Sequence, residues 1–291
     1  MIKNLVISGG SMKTISVLGA LKYLEENHLI SNIDTYVGTS AGSIVNFFLI
    51  LGYKIDEIIH FVKDHLFGSG LYNLTLDEVF NFNILSSFGM DSGSNIIKLL
   101  EDALFLKLFL KDVTFLEMTK ITGKNLVICV ANVSLQKSEY LSVDTNPDLS
   151  VITALRMSIS LPLIFTPVIY KNHYYVDGGI YEAFPLGYIK KFQDDLKDTL
   201  GIVINSSYSQ NYCENMNNMF DFISVMLGSI ISKANEIKTD EISNKIKIIE
   251  LEFENTQPAS FDFEKMSFTL DEKIIEEYIS TGYSVCESNF L

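Results

Sequence analysis

The pentapeptide Gly38-Thr39-Ser40-Ala41-Gly42 constrains this chain more than any other feature, because of what stands on either side of it. Before it lies Ile33-Asp34-Thr35-Tyr36-Val37, a short β-rich stretch. After it comes Ser43-Ile44-Val45-Asn46-Phe47-Phe48-Leu49-Ile50-Leu51, an apolar run suited to a buried helix. A G-x-S-x-G match is informative where a strand enters the turn and a helix leaves it. So tight a turn strains the serine backbone, and the flanking Gly38 and Gly42 keep side chains out of the way. The Ser40 hydroxyl then stands above the sheet, at the positive end of the next helix, where developing negative charge is favoured. A bare match is common by chance, so the reading depends on other segments.

The first of these is N-terminal. Lys3-Asn4-Leu5-Val6-Ile7-Ser8 reads as a buried strand, Gly9-Gly10-Ser11-Met12-Lys13-Thr14 follows directly, and Leu18, Leu21 and Leu24 then share a helix face. A glycine-containing turn between strand and helix exposes backbone N–H groups at a positive helix end, a cradle for an oxyanion or a phosphate. An ordinary strand-to-helix connection or a dinucleotide-binding turn is the alternative. The dinucleotide fingerprint fails because Ser11 and Thr14 stand where its second and third glycines belong, and a P-loop fails on spacing.

The second is Asp177-Gly178-Gly179, after the short strand His173-Tyr174-Tyr175-Val176. Asp-Gly is among the commonest turn signals, and alone this segment reads as a turn. Beside a nucleophile elbow, the Asp177 carboxylate becomes a candidate base for Ser40.

In order and surroundings these segments resemble the patatin-like phospholipase family, which has a glycine-rich oxyanion loop, a G-x-S-x-G nucleophile and a distant D-G-G or D-G-A aspartate. Arg156-Met157-Ser158-Ile159-Ser160-Leu161-Pro162 and Phe165-Thr166-Pro167-Val168 look like the family's approach to the aspartate strand, and Phe184-Pro185-Leu186 like the segment after it. Phe261 to Gly282, with a helix ending in Ile279-Ser280-Thr281-Gly282-Tyr283, looks like the closing helix, so the resemblance spans nearly the whole chain. It implies a Ser40–Asp177 dyad, an oxyanion hole from Gly9, Gly10, Ser11 and Met12, and no cofactor. The chain departs from the family's G-G-G-x-K/R-G at Ser11 and Thr14, while Lys13 matches the basic position. A loop that offers its backbone N–H groups tolerates Gly→Ser only where that residue's φ is negative. The departure bears on rate and substrate fit more than on reaction class.

With 291 residues and 47% hydrophobic residues, one compact domain over 1–291 is expected. Periodicity fades from Leu66 to Ser94, where glycines interrupt a stretch rich in apolar groups including Phe82 and Phe88. That segment reads equally as a lid or interfacial surface and as a connecting helix with packed aromatics. The opening residues belong to the first motif, so no cleavable signal peptide is expected, and no apolar run reaches the ~20 residues a spanning helix needs. The three cysteines show no metal spacing, and Cys129 reads as a small core residue. They favour a reducing, intracellular, cytoplasmic setting. A net charge of −14 speaks against nucleic acid and against permanent docking on an anionic membrane. A phospholipid substrate is then expected either to be met through apolar side chains, in transient contact with a membrane surface, or to be delivered to the site.

A serine–acid–histidine triad would place its histidine late in the chain, but only His173 of the four histidines follows residue 65. On a strand, His173 would lie roughly 13 Å from Asp177. It reads as part of a hairpin turn with Lys171 and Asn172, and none of His28, His60, His65 or His173 has a catalytic slot. Asp91-Ser92-Gly93-Ser94-Asn95 lacks the later ligands of a calcium loop, so Asp91 or Ser94 reads as a helix cap and no metal is expected.

The expected fold is a three-layer α/β/α domain around a central, mostly parallel sheet. Its strands include Leu5–Ser8, Thr35–Val37, Leu126–Val133, Tyr174–Val176 and Leu200–Ile204, with Gly9, Ser40 and Asp177 just past strand ends. The expected activity is cleavage of (lyso)phospholipid acyl esters through an acyl-serine. An acyltransferase and a catalytically impaired lipid- or partner-binding relative stand beside it as alternatives.

Overall fold

The computed structural model describes residues 1–68, 88–192, 196–205, 226, 229, 245–252, 261–262, 267–268 and 272–290. Its elements in chain order are β1 (Asn4–Ile7), α1 (Ile15–Glu26), β2 (Thr35–Thr39), α2 (Ala41–Ile50), α3 (Ile55–Gly68), β3 (Gly89–Asp91), α4 (Ser94–Leu108) and α5 (Phe115–Thr122). Then follow β4 (Asn125–Asn132), β5 (Lys137–Leu141), α6 (Val151–Ser158), β6 (Leu163–Phe165), β7 (Val168–Tyr170), β8 (His173–Asp177), α7 (Gly179–Glu182) and α8 (Leu186–Phe192). β9 (Thr199–Asn205), β10 (Lys247–Glu252), β11 (Phe261–Asp262), β12 (Ser267–Phe268) and α9 (Glu272–Phe290) complete the chain. A single 3-10 turn, Ser11–Thr14, joins β1 to α1.

The main sheet has the order β10-β9-β1-β2-β4-β8-β7, with β5 also paired to β4. From β10 to β4 every neighbour is parallel, whereas β5 and β8 each pair antiparallel with β4, and β7 pairs antiparallel with β8. The sheet is therefore mixed, with helices on both sides. Strand alternation divides its side chains between two cores. Leu5 pairs with Tyr36 and Leu200, Tyr36 with Leu126, and Ile202 with Ile249. All of these join the larger core, which holds the apolar faces of α1, α2, α4 and α6. Val6 and Val37, one residue on, turn the other way and join Val127 and Val203 against Phe184, Leu186 and Ile189 at the start of α8.

α9 lies along α1, and a Cβ on Gly282 would come within 1.8 Å of Ser16 O. The closing helix does not end at Tyr283, as the sequence reading had it, but continues to Phe290. Its last turns stay attached because Cys286 is buried and the Phe290 ring lies against Tyr23.

α6 begins where the Ser150 hydroxyl accepts the Thr153 N–H at 3.0 Å, an N-cap that fixes the helix start. The capping expected of Asp91 or Ser94 is not found: Gly93, at φ 73°, is the N-cap of α4. Asp91 instead accepts the Gly93 N–H at 2.6 Å, closing a turn before the helix. Arg156, which opens the stretch that resembles the family's approach to the aspartate strand, is buried and donates to Ser92 O, Ser160 Oγ and Thr166 O.

Of the segment Leu66–Ser94, residues 69–87, Phe82 among them, lie outside the described residues, as do Cys213 and most of Val225–Ile231. Phe88 is exposed, with its ring edge-on to Tyr174.

Candidate active site

Ser40 follows the last residue of β2 and precedes the first of α2, at φ 52° and ψ −129°. A non-glycine residue held there is strained, by about 1–3 kcal/mol, and persists only where its surroundings over-determine it. Here they do. The Ser43 N–H and hydroxyl both donate to Ser40 O, at 2.9 and 2.6 Å. The Ser40 N–H donates to Ser158 Oγ at 2.8 Å. A Cβ on Gly38 would stand 2.6 Å from the Ser43 backbone, and one on Gly42 2.5 Å from Ser8 O, so both glycines permit contacts that any side chain would prevent.

The Ser40 hydroxyl donates to Asp177 Oδ2 at 2.6 Å. Asp177 is the last residue of β8, and its antiparallel register sets it opposite Val130 of β4, while Thr39 pairs with Cys129. The sequence reading placed Asp177 just past a strand end in a mostly parallel sheet. The residue in fact ends an antiparallel strand, which brings it back toward the carboxyl ends of β2 and β4 from outside. Its other oxygen accepts the Gly179 N–H at 2.8 Å, and its own N–H donates to Ser160 O at 2.9 Å. Gly178 passes against β4, where a Cβ would meet Cys129 O at 2.4 Å. Burial pushes the Asp177 carboxyl up to about 6, opposed by the Ser40 hydroxyl and the Gly179 N–H, which stabilise the anion.

The Gly9-Gly10-Ser11-Met12 loop packs beside this pair, with a Cβ on Gly9 falling 3.3 Å from Ser40 Cβ. Of the four donors expected for an oxyanion, the Gly9 N–H is already committed to Ala183 O at 2.8 Å. Gly10, Ser11 and Met12 open the 3-10 turn, and the first N–H groups of a helix have no partner inside it. The sequence reading made negative φ at Ser11 the condition for the loop to tolerate serine there, and that condition is not met: Ser11 stands at +51°. A serine pays about 1 kcal/mol or more for that left-handed conformation, which the loop keeps without its glycine.

His173 opens β8 after a two-residue turn of Lys171 and Asn172, and His28 follows the end of α1. Among the described residues no histidine is hydrogen-bonded to Ser40 or Asp177. No group of three or more metal-ligating side chains occurs among them either, and no helix is long and apolar enough to cross a membrane. Three residues that contact the site escaped the sequence reading of roles. Ser158 holds the Ser40 N–H, Glu182 O accepts from Thr39 Oγ1, and Ala183 O accepts the Gly9 N–H. No motif marks a serine or a carbonyl for such work; only the resemblance had drawn the stretch containing Ser158 into view.

The model of the patatin-like phospholipase family matches residues 5–189. A probable lipid hydrolase, 463L of Invertebrate iridescent virus 6, is 31% identical over 225 residues, or 77% of this chain and 76% of the relative. The uncharacterized protein R571 of Acanthamoeba polyphaga mimivirus is 32% identical, over 97% of this chain and 91% of that one. Among solved structures, VipD from Legionella pneumophila matches with a TM-score of 0.56 at 18% identity, covering 99% of this chain and 66% of VipD. Full-length ExoU of Pseudomonas aeruginosa, in complex with SpcU, matches with a TM-score of 0.52 at 14% identity, covering 99% of this chain and 52% of that one.

Proposed function

This chain belongs to the patatin-like phospholipase family, and on that premise we propose that it is a serine acyl hydrolase cleaving fatty-acyl esters of phospholipids or lysophospholipids. The observation that carries the reading is the 2.6 Å hydrogen bond from the Ser40 hydroxyl to the buried Asp177 carboxylate, at a strained strand–turn–helix elbow.

Asp177 accepts the proton as Ser40 Oγ attacks the ester carbonyl, and as the tetrahedral intermediate collapses to an acyl-serine the aspartate gives that proton to the leaving alcohol oxygen, becoming a carboxylate again. An aspartate at its ordinary pKa of ~3.9 is a poor base, and burial brings this one nearer to working pH. In this reading the oxyanion is taken by N–H groups at the start of the 3-10 turn, from Gly10, Ser11 and Met12, a donor of this kind being typically worth ~3 kcal/mol. Water activated by the same carboxylate then releases the fatty acid. No step needs an imidazole or an ion.

The kinship with a probable lipid hydrolase supports a lipid substrate. Turnover of a soluble fluorogenic acyl ester by the purified protein, set beside its Ser40→Ala variant, tests the reading. Loss of turnover in the variant, with an unchanged melting curve, is expected; equal turnover would overturn the assignment.

A further inference from the structure

We infer that Ser158 is a positioning residue for the nucleophile, its buried hydroxyl holding the Ser40 peptide in the conformation that aims Ser40 Oγ at Asp177. The inference rests on the function proposed above and adds a residue to it.

Ser158 is the last residue of α6 and is fully buried. Its Oγ donates to Cys129 O at 2.7 Å and accepts the Ser40 N–H at 2.8 Å. A hydroxyl has one proton, and a carbonyl can only accept. The proton therefore goes to Cys129, and a lone pair is left facing Ser40. That polarity is fixed by β4, the strand between the one that leads to Ser40 and the one that ends in Asp177.

The two sides of Ser40 are held by different means. Its carbonyl is bonded locally by Ser43, three residues on. Its N–H is bonded by a side chain 118 positions away. A backbone conformation in a sparsely populated region relaxes when such a restraint is lost. The same short stretch also holds the aspartate, since Ser158 O accepts the Gly178 N–H at 3.3 Å and Ser160 O accepts the Asp177 N–H at 2.9 Å. Arg156 ties the stretch down through Ser160 Oγ, Ser92 O and Thr166 O. Residues 158–160 are thus bonded to the main chain of both members of the pair, and Ser158 alone reaches Ser40 through its side chain. A further consequence is that the Ser40 N–H is occupied and is no oxyanion donor.

The experiment uses the full chain as wild type, Ser40→Ala, Ser158→Ala, Ser158→Thr and Ser150→Ala, with a soluble fluorogenic ester and a fluorophosphonate probe. Labelling of the wild type that is absent in Ser40→Ala first establishes the nucleophile. Ser158→Ala is then expected to lower kcat roughly 30- to 100-fold, as a displacement of the order of 1 Å does. KM should stay within about twofold and phosphonylation should slow by the same factor, because position and not substrate binding is lost. The acid limb of kcat/KM should move upward, because a displaced Ser40 hydroxyl no longer stabilises the Asp177 carboxylate. Ser158→Thr, which keeps the hydroxyl, should recover most of kcat. Ser150→Ala, which loses the N-cap at the far end of the same helix, should lower Tm while leaving kcat within about threefold, the behaviour of a structural residue.

Ser158→Ala within threefold of wild type, or a loss confined to KM, would overturn the inference and leave the proposed function standing. So would a folded Ser158→Thr no more active than Ser158→Ala. If Ser158→Ala does not fold, Ser158→Cys replaces it: a weak acceptor of similar size should give an intermediate kcat, and wild-type kcat in that variant overturns the inference. A wild type that the probe does not label overturns the proposed function, and this inference with it.

Discussion

The two halves of the main sheet deliver their candidate catalytic groups by different physics. On the parallel side, β1 and β2 each run directly into a turn and a helix, and Ser40 stands where it does because five consecutive residues allow little else. Gly38 and Gly42 admit the close backbone contacts, and Ser43 closes the turn on Ser40 O. On the antiparallel side, nothing near Asp177 in sequence decides its position. β8 must pair with β4 in the register that sets Asp177 opposite Val130, and Ser160 must hold its N–H. The turn at Ser40 is thus closed locally, with the Ser158 hydroxyl as its long-range restraint, and Asp177 is placed by long-range pairing. One group is strained and the other buried, and residues 158–160 are bonded to both.

The largest disturbance is chemical. Ser40→Ala and Asp177→Asn should each reduce kcat on a soluble ester by roughly 10³-fold or more, since neither half supplies a substitute nucleophile or base. His173→Ala should stay within a few-fold of wild type. A severe His173 effect at unchanged stability would break the comparison, by bringing a third group into the antiparallel half.

Next in size is pH. In the proposed reaction Asp177 acts as the carboxylate, and burial pushes its carboxyl up to about 6. The kcat/KM profile on a soluble ester should therefore fall below about pH 6 with unit slope, reaching roughly a hundredfold loss near pH 4. A limb near the ordinary carboxylate value would mean that burial does not govern the base.

The same burial has a cost in stability. The folded chain holds the Asp177 proton more tightly than the unfolded chain, with a pKa of about 6 against 3.8. Stability is therefore fully present below pH 4 and is lost as pH rises through 6, by ~3 kcal/mol from this group. Asp177→Asn should escape that loss, its Tm matching wild type near pH 4 and exceeding it by several degrees at pH 7.5. A Tm difference that does not grow over that range would show that the carboxylate is no burden to the fold.

The smallest test concerns the hairpin that aims β8. Lys171 and Asn172 both have positive φ, at 48° and 63°, between the paired Tyr170 and His173. Two such residues make the tight hairpin turn that favours asparagine and glycine. Lys171→Asn should raise stability by about 0.5 kcal/mol, offset in part by the lost contact of Lys171 with the Tyr170 ring, with kcat unchanged. A rise in Tm of one or two degrees would sharpen the view that register, not strain, is what the antiparallel side contributes.

Much of the parallel half was legible because its information is short-ranged. β1, β2 and β9 read directly as apolar runs, and the turns after β1 and β2 carry their glycines in place. β10 was not named, although Lys247–Glu252 alternates in the manner of a strand with one buried face. β5, β6 and β7 are too short or too polar to stand out, and each exists because a neighbour offers hydrogen bonds. The glycine loop was only partly legible. Its place beside Ser40 follows from the sheet order, but the commitment of the Gly9 N–H to Ala183 follows from a helix some 170 residues away.

By itself, then, the sequence determined the strained elbow at Ser40, the strand–turn–helix units on either side of it, and the family to which the chain belongs. These depend on backbone sterics and apolar periodicity, which act over a few residues. Only the tertiary structure decided that Asp177 arrives on an antiparallel strand, that Ser158 holds the Ser40 N–H, and that Ser11 keeps a left-handed backbone without its glycine. Those outcomes depend on which buried donors find which acceptors once the sheet has closed. That pairing must satisfy all the strands together, and no local stretch of sequence records it.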